Sequence, residues 1–515
     1  MCIKKFLSIL AITFFISAQS VDANSYSNHL RTDFLNNSAI IYAINIRTFN
    51  ASDVNDNGLI DFDEGEVSGN FTNAVYRLDE LKEKGITALH LLPITPVGKT
   101  KALGTAGSLY SASSFNTINP QLQDKYSDLS LEEQAKKFIK EAHDRGIAVI
   151  IDVPACGSYD LFLQRPELFV KDSSGQPVTP SDWTDVRLLD AGDETKINPD
   201  VLNLYKEFVD MVIIIGADGI RADVAHSKPA KFWKELIEYS RKKDPEFLWL
   251  AESSDSWKDA VSDRAVYTPY DKLLKAGFDG YYGSFFNLKD WKNSSDFKKQ
   301  VNLNLSLEKT LGEKKSVIGS FTTHDELSPI IEKGPNYSLM IMWLNSTLPI
   351  NSYYVDGFDS GDNYIYFWAN KKADKTYTDD EYYFVHRGKI DIFNFSRKPG
   401  GKYERLTDDF VVSNKLKSMV NDILKSGGKF KFMNTTASSA FAYTVTNNEI
   451  TVIVVGNLNY TDVVPTITKV PKLSGENLPN IMQMSTPPLI KKGQIKSELD
   501  PGEIQVLIFE NFSLL

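Results

Sequence analysis

"GADGIRADVAH" at 216–226 and "EFLWLAES" at 246–253 are short Ile/Leu/Val/Phe-type runs, each with a carboxylate just beyond it: Asp223 and Glu252, 29 residues apart. A third run, "SVIGSFTTHDE" at 316–326, brings Asp325 to the same kind of position. Carboxylates that follow strand-like runs, with helical stretches between, are the pattern of an α/β chain folded as a (β/α)8 TIM barrel. Such barrels carry their working residues at the C-terminal rim.

Outward from these segments the alternation runs from about 39 to 410. "AIIYAINIRTF" (39–49) reads as a first strand and "NAVYRLDELKEKG" (73–85) as an amphipathic helix stopped by Gly85. "ITALHLLPI" (86–94) and "IAVIIDVPA" (147–155) read as the next strands, separated by a helix over 130–146 with Ser130 as its cap and Gly146 as its stop. Helices over 198–215 and 229–243 continue the rhythm. Repeated units of this length imply a parallel sheet with right-handed crossovers. Residues 156–190, rich in Pro, Ser, Asp and aromatics, form a short excursion after the third strand without a clear helix. From 430 to 515 short β-type runs such as "AFAYTVT", "EITVIVVGN" and "EIQVLIF" predict a C-terminal antiparallel β-sandwich, leaving 24–429 to the barrel.

The 515 residues exceed one compact domain, in keeping with a barrel plus a smaller unit. Residues 1–23 read as a signal peptide: Lys4 and Lys5, an apolar run from Phe6 to about Ala18, then Val21 and Ala23 at an A-x-A-like cleavage site. The apolar run is too short for a membrane span, so a secreted or periplasmic protein without a membrane span is expected. Removal of that segment takes Cys2 with it and leaves Cys156, so no intrachain disulfide is available. A formal charge of −10 argues against nucleic acid as a partner. A monomer is the default oligomeric state.

"DVNDNGLIDFDE" (53–64) carries its own chemistry. Asp53, Asn55, Asn57, Gly58, Asp61 and Glu64 match the calcium-loop spacing D-x-[DN]-x-[DN]-G-x5-E, with Leu59 able to offer its backbone carbonyl. Hard oxygen donors at alternate positions and a glycine at the sharp turn suit Ca2+. A strand precedes the loop where an EF-hand has a helix, so a structural ion is expected rather than a sensor.

The strand-end motifs together resemble those of the alpha-amylase family of glycoside hydrolases, in the same order, over most of the chain. In "DGIRADVAH" Arg221 and Asp223 match the family's arginine and nucleophile; Glu252 in "LAES" matches the acid/base; His324 and Asp325 in "TTHDE" match the seventh-strand pair. Tyr110, in "GSLYSASSFNTINP" (107–120), matches the tyrosine that stacks on the sugar. The resemblance implies a retaining enzyme acting on α-glucosidic bonds of α-glucans or maltooligosaccharides. It also leaves open a glucanotransferase or maltosyltransferase, or a catalytically impaired carbohydrate-binding relative.

Retention requires an ionised nucleophile and a protonated acid about 5–5.5 Å apart. Arg221 stands two residues before Asp223, on the same side of the strand, and is expected to favour its ionised form. Glu252 needs a raised pKa, for which Trp249 and Leu250 or a neighbouring carboxylate are candidates. "DVPACG" (152–157) departs from the family's Asp-x-x-x-Asn-His, with Cys156 and Gly157 at the last two positions. A more open site with one sugar contact fewer is expected there, with His226 or Tyr159 as a substitute contact, and with transfer favoured over hydrolysis.

Overall fold

The computed structural model describes residues 26–52, 54, 60, 62–102, 107–180, 184–257, 266–361, 404–470, 488–491 and 493–510. Eight parallel strands make up the barrel: β1 (Ile40–Ile44), β2 (Ala88–Leu91), β3 (Ala148–Val153), β4 (Gly219–Ala222), β5 (Leu248–Ala251), β6 (Gly280–Tyr281), β7 (Ser316–Val317) and β8 (Ser352–Val355). They pair in the order β8-β1-β2-β3-β4-β5-β6-β7. Closure comes just beyond β7, where Ile318 and Asn351 form a parallel bridge; the Asn351 N–H donates to the Val317 carbonyl at 3.0 Å and the Gly319 N–H to the Asn351 carbonyl at 2.7 Å. A helix follows each strand: α1 (Leu78–Glu83), α2 (Leu131–His143), α3 (Pro199–Ile214), α4 (Ala230–Arg241), α5 (Tyr270–Ala276), α6 (Ser294–Leu305), α7 (Pro335–Thr347) and α8 (Glu404–Lys425). The expected (β/α)8 barrel is thus present.

Local chemistry accounts for the element ends. Ser130 and Glu133 form a reciprocal capping box that starts α2, and Gly146 takes φ 74° after it. The first strand is shorter than the 39–49 run: the Asn45 side chain accepts the Arg47 N–H and turns Ile46–Phe49 into a helical turn. The run 73–85 likewise divides into Phe71–Ala74, a 3-10 turn Val75–Arg77 and α1. The excursion after β3 does hold a short helix, Tyr159–Gln164, whose cap Ser158 accepts from the Leu161 N–H. A two-residue antiparallel ladder ties Cys156–Gly157 to Arg187–Leu188.

Strand alternation divides the core in two. Ile41, Ala43, Ala88, Ala148, Ile150, Leu248, Leu250, Ile318, Tyr353 and Val355 fill the barrel interior with Leu30 and Phe34, while the alternate residues pack on the helices. At Gly280 an added Cβ would lie 2.5 Å from the Phe34 ring, so this strand position admits no side chain.

Beyond α8 lie β9 (Lys429–Met433), β10 (Ala440–Thr446), β11 (Ile450–Asn457), β12 (Val464–Lys469), β13 (Leu489–Lys491), β14 (Gln494–Leu499) and β15 (Ile504–Glu510). They form two antiparallel sheets, β9-β10-β11-β15 and β12-β14-β13, the expected C-terminal sandwich. Phe441 and Tyr443 of β10 stack on Phe297 of α6 at 4.3 and 6.1 Å between ring centres, joining the sandwich to the barrel. No helix among the described residues is long and apolar enough to cross a membrane; the segment 1–23 read as a signal lies outside them.

Candidate active site

Above the apolar interior the barrel turns polar. Asp152 of β3 and Arg221 of β4 are register partners and both are fully buried. The Arg221 guanidinium donates from Nη1 to both Asp152 oxygens at 2.9 Å and to Asp223 Oδ1 at 3.0 Å, and from Nε to the Tyr282 hydroxyl at 3.0 Å. Its Nη2 lies 2.7 Å from Glu252 Oε1. One planar cation therefore touches three carboxylates from three adjacent strands, a geometry a lysine could not reproduce.

Asp223 and Glu252 stand one step above this layer, 3% and 6% exposed. The Ala155 N–H donates to Asp223 Oδ2 at 3.0 Å and the Val224 N–H to Glu252 Oε2 at 2.6 Å. Val224 is left-handed at φ 39°, ψ 49°, an uncommon conformation for a β-branched residue, and it aims that N–H at Glu252.

The charge balance decides protonation. Burial and the Asp223 charge push the Glu252 carboxyl well above its ordinary range, despite Arg221. Burial raises Asp223 to about 6, with Arg221 opposing and Asp152 adding to the rise. Burial would raise Asp152 too, but Arg221 and the His90 hydrogen bond outweigh it and hold Asp152 below the ordinary range. One arginine cannot keep three buried carboxylates ionised, so the pair Asp223–Glu252 retains a proton that resides mainly on Glu252.

Tyr110, 4% exposed, donates its hydroxyl to Asp152 Oδ2 at 2.7 Å, and the same hydroxyl lies 2.7 Å from His324 Nε2. Their rings are parallel, 5.8 Å apart. His324 is buried and its pKa is lowered by that burial to about 4, so it is a neutral ring. Asp325 is 25% exposed in its side chain, with Oδ1 3.7 Å from His324 Nε2. Burial likewise lowers His226 to about 4; its ring packs edge-on against Trp257 and Tyr267 at 5.4 and 5.9 Å. Tyr159 makes none of these contacts; its ring is covered by the Lys101 ammonium at 3.8 Å and the Arg187 guanidinium at 5.3 Å.

Two expectations change. Trp249 faces the helices, donating its indole N–H to Ser240 at 2.9 Å, so the raised pKa of Glu252 comes from its burial and from the neighbouring carboxylate Asp223, not from Trp249. Nor does Gly157 open the site: an added Cβ would meet Phe169 Cζ at 2.8 Å and Leu161 Cδ2 at 3.0 Å, space already filled. Residues that were overlooked include His90, whose Nδ1 is 2.8 Å from the Tyr353 hydroxyl and whose Nε2 is 3.5 Å from Asp152, together with Tyr282 and Tyr353 themselves. His90 was legible as the one ionisable side chain inside "ITALHLLPI". Of the calcium loop, Asp53, Asn55, Asn57, Leu59 and Asp61 lie outside the described residues; Glu64 sits exposed in a 3-10 turn Phe62–Glu64.

A closed barrel with a buried arginine–carboxylate layer under an acid pair at its C-terminal rim is the architecture of a (β/α)8-barrel protein with its working site at the usual face. No family model matches the chain. Its sequence is similar to an alpha-1,4-glucan:maltose-1-phosphate maltosyltransferase of Picrophilus torridus, 26% identical over 422 residues, 78% of this chain and 61% of that protein. It also resembles the corresponding maltosyltransferase of Bifidobacterium animalis subsp. lactis, 26% over 209 residues, covering 36% and 27% of the two chains. Alpha-amylase MalA of Haloarcula japonica is 26% identical over 227 residues, 42% of this chain and 34% of that protein. The chain thus spans between about a quarter and three-fifths of these relatives' lengths. In fold it is similar to an alpha-amylase from Lactobacillus plantarum (TM-score 0.66, 19% identity, 92% and 99% covered). A maltogenic alpha-amylase from Thermotoga neapolitana gives TM-score 0.63 at 19% identity, with 92% and 99% covered. With its ordered strand-end motifs and this fold, the chain resembles the alpha-amylase family of glycoside hydrolases.

Proposed function

We propose that this protein is an exported retaining enzyme acting on α-glucosidic bonds of α-glucans or maltooligosaccharides through a covalent Asp223 intermediate. The observation that carries the reading is the shared guanidinium. Asp223 and Glu252 both touch Arg221, at 3.0 and 2.7 Å, and burial raises both carboxyls, Glu252 well above its ordinary range. In the first step Asp223 attacks the anomeric carbon while Glu252 gives its proton to the departing glycosidic oxygen. In the second, Glu252 takes a proton from the incoming hydroxyl, which displaces Asp223. Asp325 and neutral His324 bind sugar hydroxyls, and Tyr110, locked to Asp152 and His324, is the rigid aromatic wall.

Transfer to a sugar acceptor is the favoured second reading. It is supported by the relatives named as maltosyltransferases and by the third-strand end, where Cys156 and Gly157 are fully packed and offer no polar side chain to the sugar. A missing contact of that kind is worth about 1–3 kcal/mol. Slower attack by water then leaves the intermediate to acceptors. Incubation of the purified protein with maltoheptaose, with products resolved by chromatography, tests both readings. Shorter and longer maltooligosaccharides together are expected. Only shorter products over a range of acceptor concentrations would remove transfer, and glucan affinity with no product at any pH would leave a binding protein.

A structural Ca2+ at 53–64 completes the proposal, supported by the donor spacing; along the chain that loop follows β1, whereas Asp223 and Glu252 follow β4 and β5. An ion bound only to the folded state stabilises it by about 2.7 kcal/mol at a hundredfold excess over Kd. Chelation is therefore expected to lower the melting temperature more than it lowers the rate, and Asp53→Ala to abolish that response. A melting curve unchanged by chelation, with metal analysis confirming that the ion had left, would count against it.

A further inference from the structure

Behind Asp223 lies a buried cation that the reaction described above does not use. Lys228 is 1% exposed, and its Nζ donates to the Ala155 carbonyl at 2.7 Å. Its partner is a neutral carbonyl, and the ammonium stands 5.2 Å from the centre of the Tyr205 ring. Tyr205, equally buried, donates its hydroxyl to the Pro154 carbonyl at 2.7 Å. That carbonyl belongs to the same peptide group as the Ala155 N–H, which donates to Asp223 Oδ2. A hydrogen bond accepted at one end of a peptide strengthens the donor at the other.

We propose that Lys228 and Tyr205 are positioning residues that clamp the main chain at 154–155 against Asp223 and keep that carboxylate ionised. They act where the end of β3, with Cys156 and Gly157, supplies no polar side chain of its own. The inference rests on Asp223 being the nucleophile.

The groups facing Asp223 come from every neighbouring strand. Arg221 is on its own strand, Asp152 is on β3 and the Ala155 N–H just beyond it; Glu252 follows β5, Asp325 follows β7 and Tyr110 follows β2. Lys228, Cys156 and Tyr205 face it from the helix side. Four carboxyl groups thus meet two cations, and removing one cation shifts the balance toward protonation. Burial lowers Lys228 only to about 8, above the value of about 6 for Asp223. The ammonium is therefore in place across the range in which Asp223 ionises.

The test compares full-length wild type with Lys228→Met, Lys228→Gln and Tyr205→Phe. Two quantities are followed: the pH dependence of turnover of maltoheptaose, and the titration of the Asp223 carboxyl by 13C NMR, its signal assigned by its loss in Asp223→Asn. Lys228→Met is expected to raise the Asp223 pKa by about one unit. Turnover below pH 6 should then fall about tenfold with KM little changed, because the ionised fraction falls by that factor. Lys228→Gln can restore the carbonyl hydrogen bond but not the charge, so the pKa should stay high. Tyr205→Phe should shift it less, in the same direction. An Asp223 pKa unmoved in both Lys228→Gln and Tyr205→Phe overturns the proposal, even if Lys228→Met does not fold. Should the wild type make no product, the NMR titration still decides the role of Lys228, and only the glycosidase reading falls.

Discussion

Asp223→Asn and Glu252→Gln are each expected to lower turnover of maltooligosaccharides by at least about 10³-fold, the loss that accompanies removal of a nucleophile or general acid. Both substitutions keep size and hydrogen-bonding capacity. In Asp223→Asn the side-chain oxygen can still accept from the Ala155 N–H, which reaches Oδ2 at 3.0 Å in the wild type. In Glu252→Gln it can still accept from the Val224 N–H, at 2.6 Å in the wild type. Melting temperatures should therefore stay near wild type, and a slightly higher value would be unsurprising because a buried charge is removed. The two variants should differ with substrate. Glu252→Gln lacks the proton donor, so a glucosyl fluoride, whose leaving group needs no proton, should recover much of its first step; Asp223→Asn should not. Near-wild-type rates for either variant on a natural maltooligosaccharide would show that the roles are wrongly assigned.

The second large effect is expected at Arg221. Arg221→Met leaves Asp152, Asp223 and Glu252 buried without their common cation, and breaking a buried pair in this way costs about 3–5 kcal/mol. Activity should be lost together with stability. The pH dependence gives the signature. In the wild type Asp152 is held below the ordinary carboxylate range, so its contribution to stability is present above the unfolded-state pKa and is lost as pH falls. Without Arg221 the same carboxyl is raised. Its burial is then tolerated at low pH, where it is neutral, and stability is lost as pH rises through the new pKa. The gap between wild type and variant should close as pH is lowered from 7 toward 4. Arg221→Lys should recover little, because one ammonium cannot reach three carboxylates and the Tyr282 hydroxyl at once. Thermal melts of the three proteins across that pH range check this, and a gap independent of pH would mean that Arg221 acts by packing alone.

Several features were invisible or misread along the chain, for identifiable reasons. Asn45 sits within a continuous apolar run, and only its side-chain bond to Arg47 shows that β1 stops before it. Strands β12 and β14 escaped notice although "QIKSEL" has a period of two, with Ile495, Ser497 and Leu499 buried and Lys496 and Glu498 exposed. Its polar inward serine, which bonds Gln505 at 2.9 Å, masks the alternation. Trp249 is close to Glu252 along the chain, yet the odd spacing of three puts the two on opposite sides of the strand. Gly157 lacks a side chain, yet it leaves no vacancy. Phe169 and Leu161, from later in the excursion, occupy that space.

What the amino-acid sequence determined by itself is the alternation of strands and helices and the parity of the strand ends. Arg221 and Asp223, two apart, must share a side, and Asp223, Glu252 and Asp325 must lie just past their strands. These are consequences of chain stereochemistry over a few residues. Tertiary structure alone decided which residues meet: Arg221 with Asp152, 69 positions away, Tyr110 with His324, 214 away, and His90 with Tyr353, 263 away. Such meetings depend on register between strands and on closure of the barrel through Ile318 and Asn351, which bring distant segments within hydrogen-bonding range. The protonation of the acid pair belongs to the same level, because it depends on how many charges share one buried layer and not on any residue's own neighbours along the chain.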